Sequence, residues 1–311
     1  MSDTLSIGWI GTGRMGSQLV YRLLEAGYDV TVYNRTAAKA QPLIDAGARF
    51  AARPVDLADR DVVFTMVSTS ADLAAVTTGP DGLLTDPDKA PRIIADSSTV
   101  STTASEVLRA AASERGTALL ATPVSGNPAV IAAGKLTVAA SGPRWVFDEV
   151  APLLRTFGRG VTYVGEGEVA RLVKIAHNVF LGVVTQSLAE ITVLAEKGGV
   201  SREAFLEFLN DSVMGSTFTR YKTPALVNLD FTPTFTNVLL QKDFDLGLDA
   251  GRELGVPLPV ASITRDIVAD EVDRGNIELD FATLLLTVAR GAGLELVSEN
   301  ANVTDGLTPQ N

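Results

Sequence analysis

The chain has 311 residues, with 26 Lys and Arg against 37 Asp and Glu, a formal net charge of −11, no cysteine and one histidine. The lack of cysteine excludes a disulfide framework, a thiolate zinc site, an iron–sulfur cluster and a cysteine nucleophile, and the single His excludes a multi-histidine centre, so no metal is expected. The acidic balance argues against a nucleic-acid or anionic-membrane surface, and 46% hydrophobic with 20% charged residues is a globular composition.

The start, MSDTLSIGWIGTG, has no basic segment followed by an apolar core, so the expectation is a cytoplasmic protein. Apolar β-type runs follow at 5–10, 29–33, 61–66, 92–95, 118–121, 136–140 and 160–164, with helical patterns between them at 14–26, 36–46, 101–114 and 144–157. Strands alternating with helices predict βαβ units and a largely parallel sheet. From residue 166 the strand pattern stops and helical patterns take over at 169–198, 201–210, 237–254, 258–274 and 281–290. The fold class is therefore α/β: an N-terminal Rossmann-type doubly wound sheet over 1–165, then an all-α domain over 166–298. The polar, Gly- and Pro-containing end, 299–311, reads as a disordered tail.

The pattern at 169–198 is apolar around most of its circumference, as buried helices usually are, which predicts a long interdomain helix that forms the spine between the domains or part of a subunit interface. At 1.5 Å per residue it would be roughly 45 Å long. Arg171, Lys174, His177, Asn178, Gln186 and Glu190 interrupt it, and on that count it fails as a bilayer span, which needs about 20 predominantly apolar residues.

The strand at 5–10 runs into Gly11-Thr12-Gly13-Arg14-Met15-Gly16, which opens the first helix. A G-x-G-x-x-G alone is weak, but strand, turn, helix and second strand all fall within about 30 residues here, as a dinucleotide site requires. Gly11 makes the turn, Gly13 lets backbone approach a pyrophosphate, and Gly16 permits close helix–strand packing. The free amides and dipole of the helix start attract phosphate. After the second strand comes Asn34-Arg35-Thr36, where an NAD site usually carries an acidic residue for the ribose hydroxyl. A carboxylate would repel a 2′-phosphate, whereas Arg35 can pair with one and Asn34 and Thr36 can donate to it, which points to NADP(H) over NAD(H). The bland alternative for Arg35 is a solvated charge.

Four later segments complete a pattern: Asp96-Ser97-Ser98-Thr99, Pro123-Val124-Ser125-Gly126-Asn127, Gly165-x-Gly167 followed by Lys174-x-x-x-Asn178, and Lys242-Asp243. With the glycine turn, in this order and spacing over roughly 5–292, the chain resembles the β-hydroxyacid dehydrogenase family, which includes 3-hydroxyisobutyrate dehydrogenases, tartronate semialdehyde reductases and glyoxylate/succinic semialdehyde reductases. The resemblance implies an NADP(H)-dependent oxidoreductase that interconverts a small 3-hydroxy acid and its aldehyde or oxo acid. It makes Lys174 the general acid and base, with Asn178 one helical turn on to orient it or the substrate hydroxyl. Lys174 also stands out unaided, since a lysine in the apolar run 172–176 is rarely tolerated unless paired or used. Burial would bring such a lysine towards the range useful for proton transfer; the bland reading is a snorkelling side chain.

Ser125, Gly126 and Asn127 fall where the family binds a substrate carboxylate, Thr99 beside the nicotinamide ribose, and Lys242 against the cofactor, with Asp243 paired locally to Lys242. Ser98 is a candidate substrate contact. Without the resemblance, 123–127 is a turn and 96–99 an N-cap for the helix at 101–114. Two positions depart from the family: Asn127 stands where a second Gly is usual, and His177-Asn178 where Asn-Asn is common. Lys174-x-x-His177-Asn178 instead echoes 6-phosphogluconate dehydrogenases, so His177 either contacts substrate or packs beneath it. Alternative readings are an imine reductase or reductive aminase, against which Lys174 argues, 6-phosphogluconate-dehydrogenase-like oxidation of a sugar acid, and a non-catalytic NADP-binding module. Segments 214–221 and 231–237 are expected to line the pocket, and a homodimer or homotetramer is expected.

Overall fold

The computed structural model describes residues 5–307. The chain divides into two compact units, Met1–Lys174 and Ile175–Asn311. The division falls beyond the expected junction at 165, because the first turn of the long helix is tied into the first unit by Arg171.

In the first unit the elements are β1 (Ile7–Ile10), α1 (Arg14–Glu25), β2 (Val30–Tyr33), α2 (Gln41–Asp45), β3 (Arg49–Phe50), β4 (Val62–Thr65), α3 (Ser70–Thr77), β5 (Ile93–Asp96), α4 (Thr102–Glu114), β6 (Ala118–Ala121), β7 (Val124–Ser125), α5 (Pro128–Ala132), β8 (Leu136–Ser141), α6 (Arg144–Arg155) and β9 (Gly158–Gly165). The sheet runs β3-β2-β1-β4-β5-β6-β8-β7, with β9 on β8. The pairs from β3 to β6 are parallel, while β8 is antiparallel to both β6 and β7. The 3-2-1-4-5-6 order defines a doubly wound dinucleotide-binding sheet, whose crevice opens at the carboxyl ends of β1 and β4 where the winding reverses.

Both faces of this sheet are covered, so β1, β4 and β5 are buried at every position and read as near-continuous apolar runs rather than alternating. Trp9 and Phe64, level in the register of β1 and β4, stack at 5.2 Å and receive the edge of Phe157. Ile10 and Val63 face the opposite layer, with Leu73 of α3 and Leu108 of α4. The helix expected at 36–46 is broken into a 3-10 turn at Ala37–Ala40 and the short α2. Pro42, in the first turn of α2, has no amide hydrogen to carry a helical bond back across the junction.

The long helix α7 (Val169–Lys197) leads into α8 (Arg202–Asp211), α9 (Thr217–Asn228), α10 (Asn237–Leu254), α11 (Pro259–Asp273) and α12 (Leu284–Gly291). The second unit packs around Leu188, Val193, Leu206, Leu226, Leu240, Phe244, Phe281 and Leu284. Helix α9 was not legible: its Thr residues, aromatics and internal Pro224 are poor helix formers, yet Ser216 caps it and Leu226 and Val227 anchor it in the core. It takes in most of the segment 214–221.

Helix α7 corrects one expectation: by length and composition alone it is apolar enough to cross a bilayer, its most apolar stretch having mean hydropathy 1.4, with 44% of that stretch buried within the fold. Of the six residues that interrupt the pattern, His177, Asn178 and Gln186 carry no charge. Along the helix Phe180 is 68% exposed and Leu194 71% exposed. The tail is a second correction. The Glu299 carboxylate accepts from the Arg202 and Glu203 amides at the start of α8, at 2.7 and 2.8 Å, and Asn228 bonds both backbone groups of Ala301. Residues 299–307 are thus fastened to the helical unit by an acidic side chain at a helix N-terminus; positions 308–311 lie outside the described residues.

Candidate active site

The glycine turn is held by backbone crowding. Gly11 has φ +98°, and a Cβ there would lie 2.2 Å from the Met66 carbonyl oxygen. At Gly16 a Cβ would come within 2.1 Å of the Gly11 carbonyl, so α1 packs directly onto the turn. The buried Trp9 fixes the same carbonyl by donating its indole N–H at 2.9 Å. In the sequence Trp9 carries no signal of this role, because an indole inside an apolar strand reads only as core. A Cβ on Gly13 would meet nothing within 4 Å, so the position facing the start of α1 stays open, and no side chain among the described residues caps that helix. Thr12 is almost wholly buried and its hydroxyl has no hydrogen-bond partner among the described residues. An open glycine cradle, an uncapped helix start and an orphaned hydroxyl fit the pyrophosphate of a nicotinamide dinucleotide.

At the end of β2, Asn34 is committed to the protein: its amide oxygen accepts from the Thr12 N–H at 3.0 Å and its NH2 donates to the Thr36 carbonyl at 2.9 Å. These two bonds make Asn34 part of the turn from which Arg35 projects. Arg35 projects outward with its side chain 87% exposed and meets Asp72, in the first turn of α3, at 3.2 Å. Met15 and Arg14 open α1, and Met15 packs against the core.

At the end of β5 the segment 96–99 does not cap α4; Ser101 does, accepting from the Ala104 N–H. Asp96 is fully buried because it has other work. It accepts from the Thr65 and Ser98 hydroxyls, each at 2.6 Å, and is ion-paired with Arg171 of α7. Ser98 also accepts from the Val67 N–H at 3.0 Å, so its hydroxyl ties the loop after β5 to the segment after β4. Arg171, 1% exposed, further donates to the Ser98 carbonyl and to Ser105, while Glu168 links it to Arg109. This network pins the loop that carries Thr99, the candidate ribose contact. The signal lay in the sequence as an arginine inside an apolar helix and an aspartate ending an apolar strand.

Ser125 ends β7, and Gly126 follows with φ +144°, where a Cβ would press on Val130 and Leu136. Asn127 has a local explanation: its side-chain oxygen accepts from the Val130 N–H at 2.9 Å, and with Pro128 behind it starts α5. The residue that departs from the family pattern is thus an N-cap.

Lys174 lies in the second turn of α7, and Asn178 follows one turn later on the same face. In the helical unit Asn178 is buried and donates to the Asp243 carboxylate of α10. Asp243 also pairs with Lys242 at 3.3 Å, while His177 is exposed with Nδ1 3.0 Å from the Asn178 amide oxygen. His177 therefore does not pack beneath its neighbours. Two glycines, each four residues on, create this meeting. A Cβ on Gly182 would sit 2.4 Å from the Phe244 ring, and one on Gly247 would sit 2.2 Å from Val179. Their absence lets α7 and α10 close up until amide and carboxylate touch. Segment 231–237 is held by a second buried pair. Lys222 donates to Asp280 and to Thr234 at 2.5 and 2.8 Å, lies 4.0 Å from the Phe281 ring centre, and is pushed down in pKa by burial.

A Rossmann sheet with an open glycine cradle, followed by a helical unit with an amide fixed against a carboxylate, defines a nicotinamide-dinucleotide-binding oxidoreductase. A family model for the NAD binding domain of 6-phosphogluconate dehydrogenase matches residues 6–165, and one for the NAD-binding region of NADP-dependent 3-hydroxyisobutyrate dehydrogenase matches 165–288. The chain is 32% identical to the oxidoreductase YfjR of Bacillus subtilis, over 90% of this chain and 99% of that one. It is 31% identical to 2-(hydroxymethyl)glutarate dehydrogenase of Eubacterium barkeri, over 86% and 89%. Among solved structures, 3-hydroxyisobutyrate dehydrogenase of Mycobacterium tuberculosis, determined with L-serine, superposes with a TM-score of 0.80 at 27% identity, covering 92% of this chain and 99% of that one. The chain belongs to the β-hydroxyacid dehydrogenase family, of 3-hydroxyisobutyrate dehydrogenase type.

Proposed function

We propose that the protein is an NADP(H)-dependent dehydrogenase that interconverts a small 3-hydroxy acid and the corresponding aldehyde or oxo acid, with Lys174 as general acid and base. The observation that carries this reading is the placing of Lys174 one turn before Asn178, whose amide is held by the buried Asp243. When bound, the nicotinamide dinucleotide supplies or accepts the hydride. Lys174 gives a proton to the developing alkoxide oxygen in reduction and removes it from the hydroxyl in oxidation. Asn178 orients the reacting oxygen, and its fixed rotamer limits the entropy lost on binding. Ser125 and the backbone amides around Gly126 hold the substrate carboxylate, neutral donors suited to a protein of net charge −11. The turn made by Gly11 and packed by Gly16 receives the pyrophosphate at Gly13 and the start of α1, Arg35 the 2′-phosphate, and Thr99 and Lys242 the nicotinamide half.

The test is Lys174→Ala. Turnover of small hydroxy acids and semialdehydes should fall on the order of 10²-fold or more, with NADPH binding retained by fluorescence titration. Unchanged carbonyl reduction overturns the assignment. Assembly as a homodimer or homotetramer is part of the same proposal, supported by the exposed apolar residues of α7.

A further inference from the structure

Arg35 and Asp72 belong to different loops. Arg35 follows β2 and Asp72 follows β4, while the sheet order places β1 between those strands. The 3.2 Å ion pair therefore bridges over the carboxyl end of β1, at the edge of the switch-point crevice where the adenosine end of a dinucleotide lies. The carboxylate is not a drifting surface group. Its second oxygen accepts from the Thr69 hydroxyl at 2.8 Å, and the Thr69 oxygen in turn accepts from the Asp72 N–H at the start of α3. Asp72 is a fixed acceptor, whereas Arg35 is a long and exposed side chain that swings to it.

We propose that Asp72 sets the cofactor selectivity of this enzyme by competing with the 2′-phosphate of NADP(H) for Arg35. The inference rests on the reading of Arg35 as the phosphate ligand. A phosphate entering at Arg35 either displaces the guanidinium from Asp72 or shares it, and in both cases two like charges face each other across one cation. A ribose hydroxyl carries no charge and meets no such conflict. Asp72 thus lowers affinity for NADPH while leaving NADH nearly untouched, and it narrows the gap that Arg35 alone would open. It acts through Arg35 as a positioning residue and touches none of the reacting atoms.

Dissociation constants of NADPH and NADH, read from nicotinamide fluorescence on the full-length protein, separate the possibilities. Asp72→Asn keeps an acceptor for Thr69 and removes the charge. It should tighten NADPH binding about three- to tenfold, the range for releasing an exposed ion pair and its neighbouring repulsion. NADH binding should stay within about twofold, since a structural effect alone would move both cofactors together. The gain should shrink as salt is raised from about 0.05 to 0.5 M, because charges this exposed are screened. Asp72→Glu should keep the wild-type ratio. Equal or weaker NADPH binding by Asp72→Asn, with Arg35→Ala abolishing the NADPH preference, overturns the role of Asp72 and leaves the NADP(H) reading standing. If Arg35→Ala leaves the ratio of the two constants unchanged, the phosphate role of Arg35 fails and the inference fails with it.

Discussion

At the scale of single residues, several side chains of the candidate site have neighbours that leave them little choice of conformation. Asn178 is held by Asp243, Ser98 by Asp96 and Val67, and Asn34 by Thr12 and Thr36. The motif residues were legible because each belongs to a spacing, but their partners were not. Asp96 meets Arg171, and separately Asp243 meets Asn178, only through folding, across sequence gaps that no local pattern spans. Asp243→Ala should leave the buried Asn178 amide without its charged acceptor, costing about 1–3 kcal/mol in thermal unfolding, and should lower kcat/KM about tenfold. Asp243→Asn keeps an acceptor and should recover most of the stability; identical losses in the two variants would show that the hydrogen bond is not what matters.

Among the elements, α7 carries the greatest tension between composition and environment. Its buried face holds Ile175, Asn178 and Leu188, yet Phe180 and Leu194 stand in the open. Large exposed apolar residues of this kind mark interaction surfaces. In the proposed homo-oligomer, Leu194→Glu should convert the assembly towards monomers in light scattering at micromolar concentration, with the circular dichroism of the fold unchanged. An assembly indifferent to Leu194→Glu would move the interface elsewhere. Short elements were the ones the sequence hid. Helix α3 spans Ser70–Thr77 and depends on the Thr69 cap, and α5 depends on Asn127. Neither is long enough to display a helical period, so capping side chains, rather than apolar spacing, were the available signal.

For the molecule as a whole, stability responds to pH through groups outside the site. Asp61, at the head of β4, accepts from the Ser6 hydroxyl at 2.6 Å and from the Ser6 amide at 2.8 Å, and these bonds hold its carboxyl below the ordinary value. A carboxylate depressed by folding binds protons more readily when unfolded. Its contribution is therefore complete above the ordinary value, about 3.9, and is lost as pH falls through the folded one. Ser6→Ala should destabilise the protein by about 1 kcal/mol above pH 5 in denaturant titrations, with the difference narrowing below about pH 4. A difference that stays constant down to about pH 2.5 would remove Asp61 as its source.

The sequence by itself determined the class of fold, the glycine turn and the order of the family's motif segments. These are written in local periods and fixed spacings, which neighbouring residues enforce whatever lies beyond them. Tertiary structure alone decided where the first unit ends, that the segment after 299 is fastened by Glu299, and that Asn127 is a cap. It also decided which carboxylate meets Arg35 and which meets Asn178. Such meetings depend on strand order and on how closely two helices approach. Those are set by packing over the whole chain, and at the crossing of α7 and α10 by the missing side chains of Gly182 and Gly247.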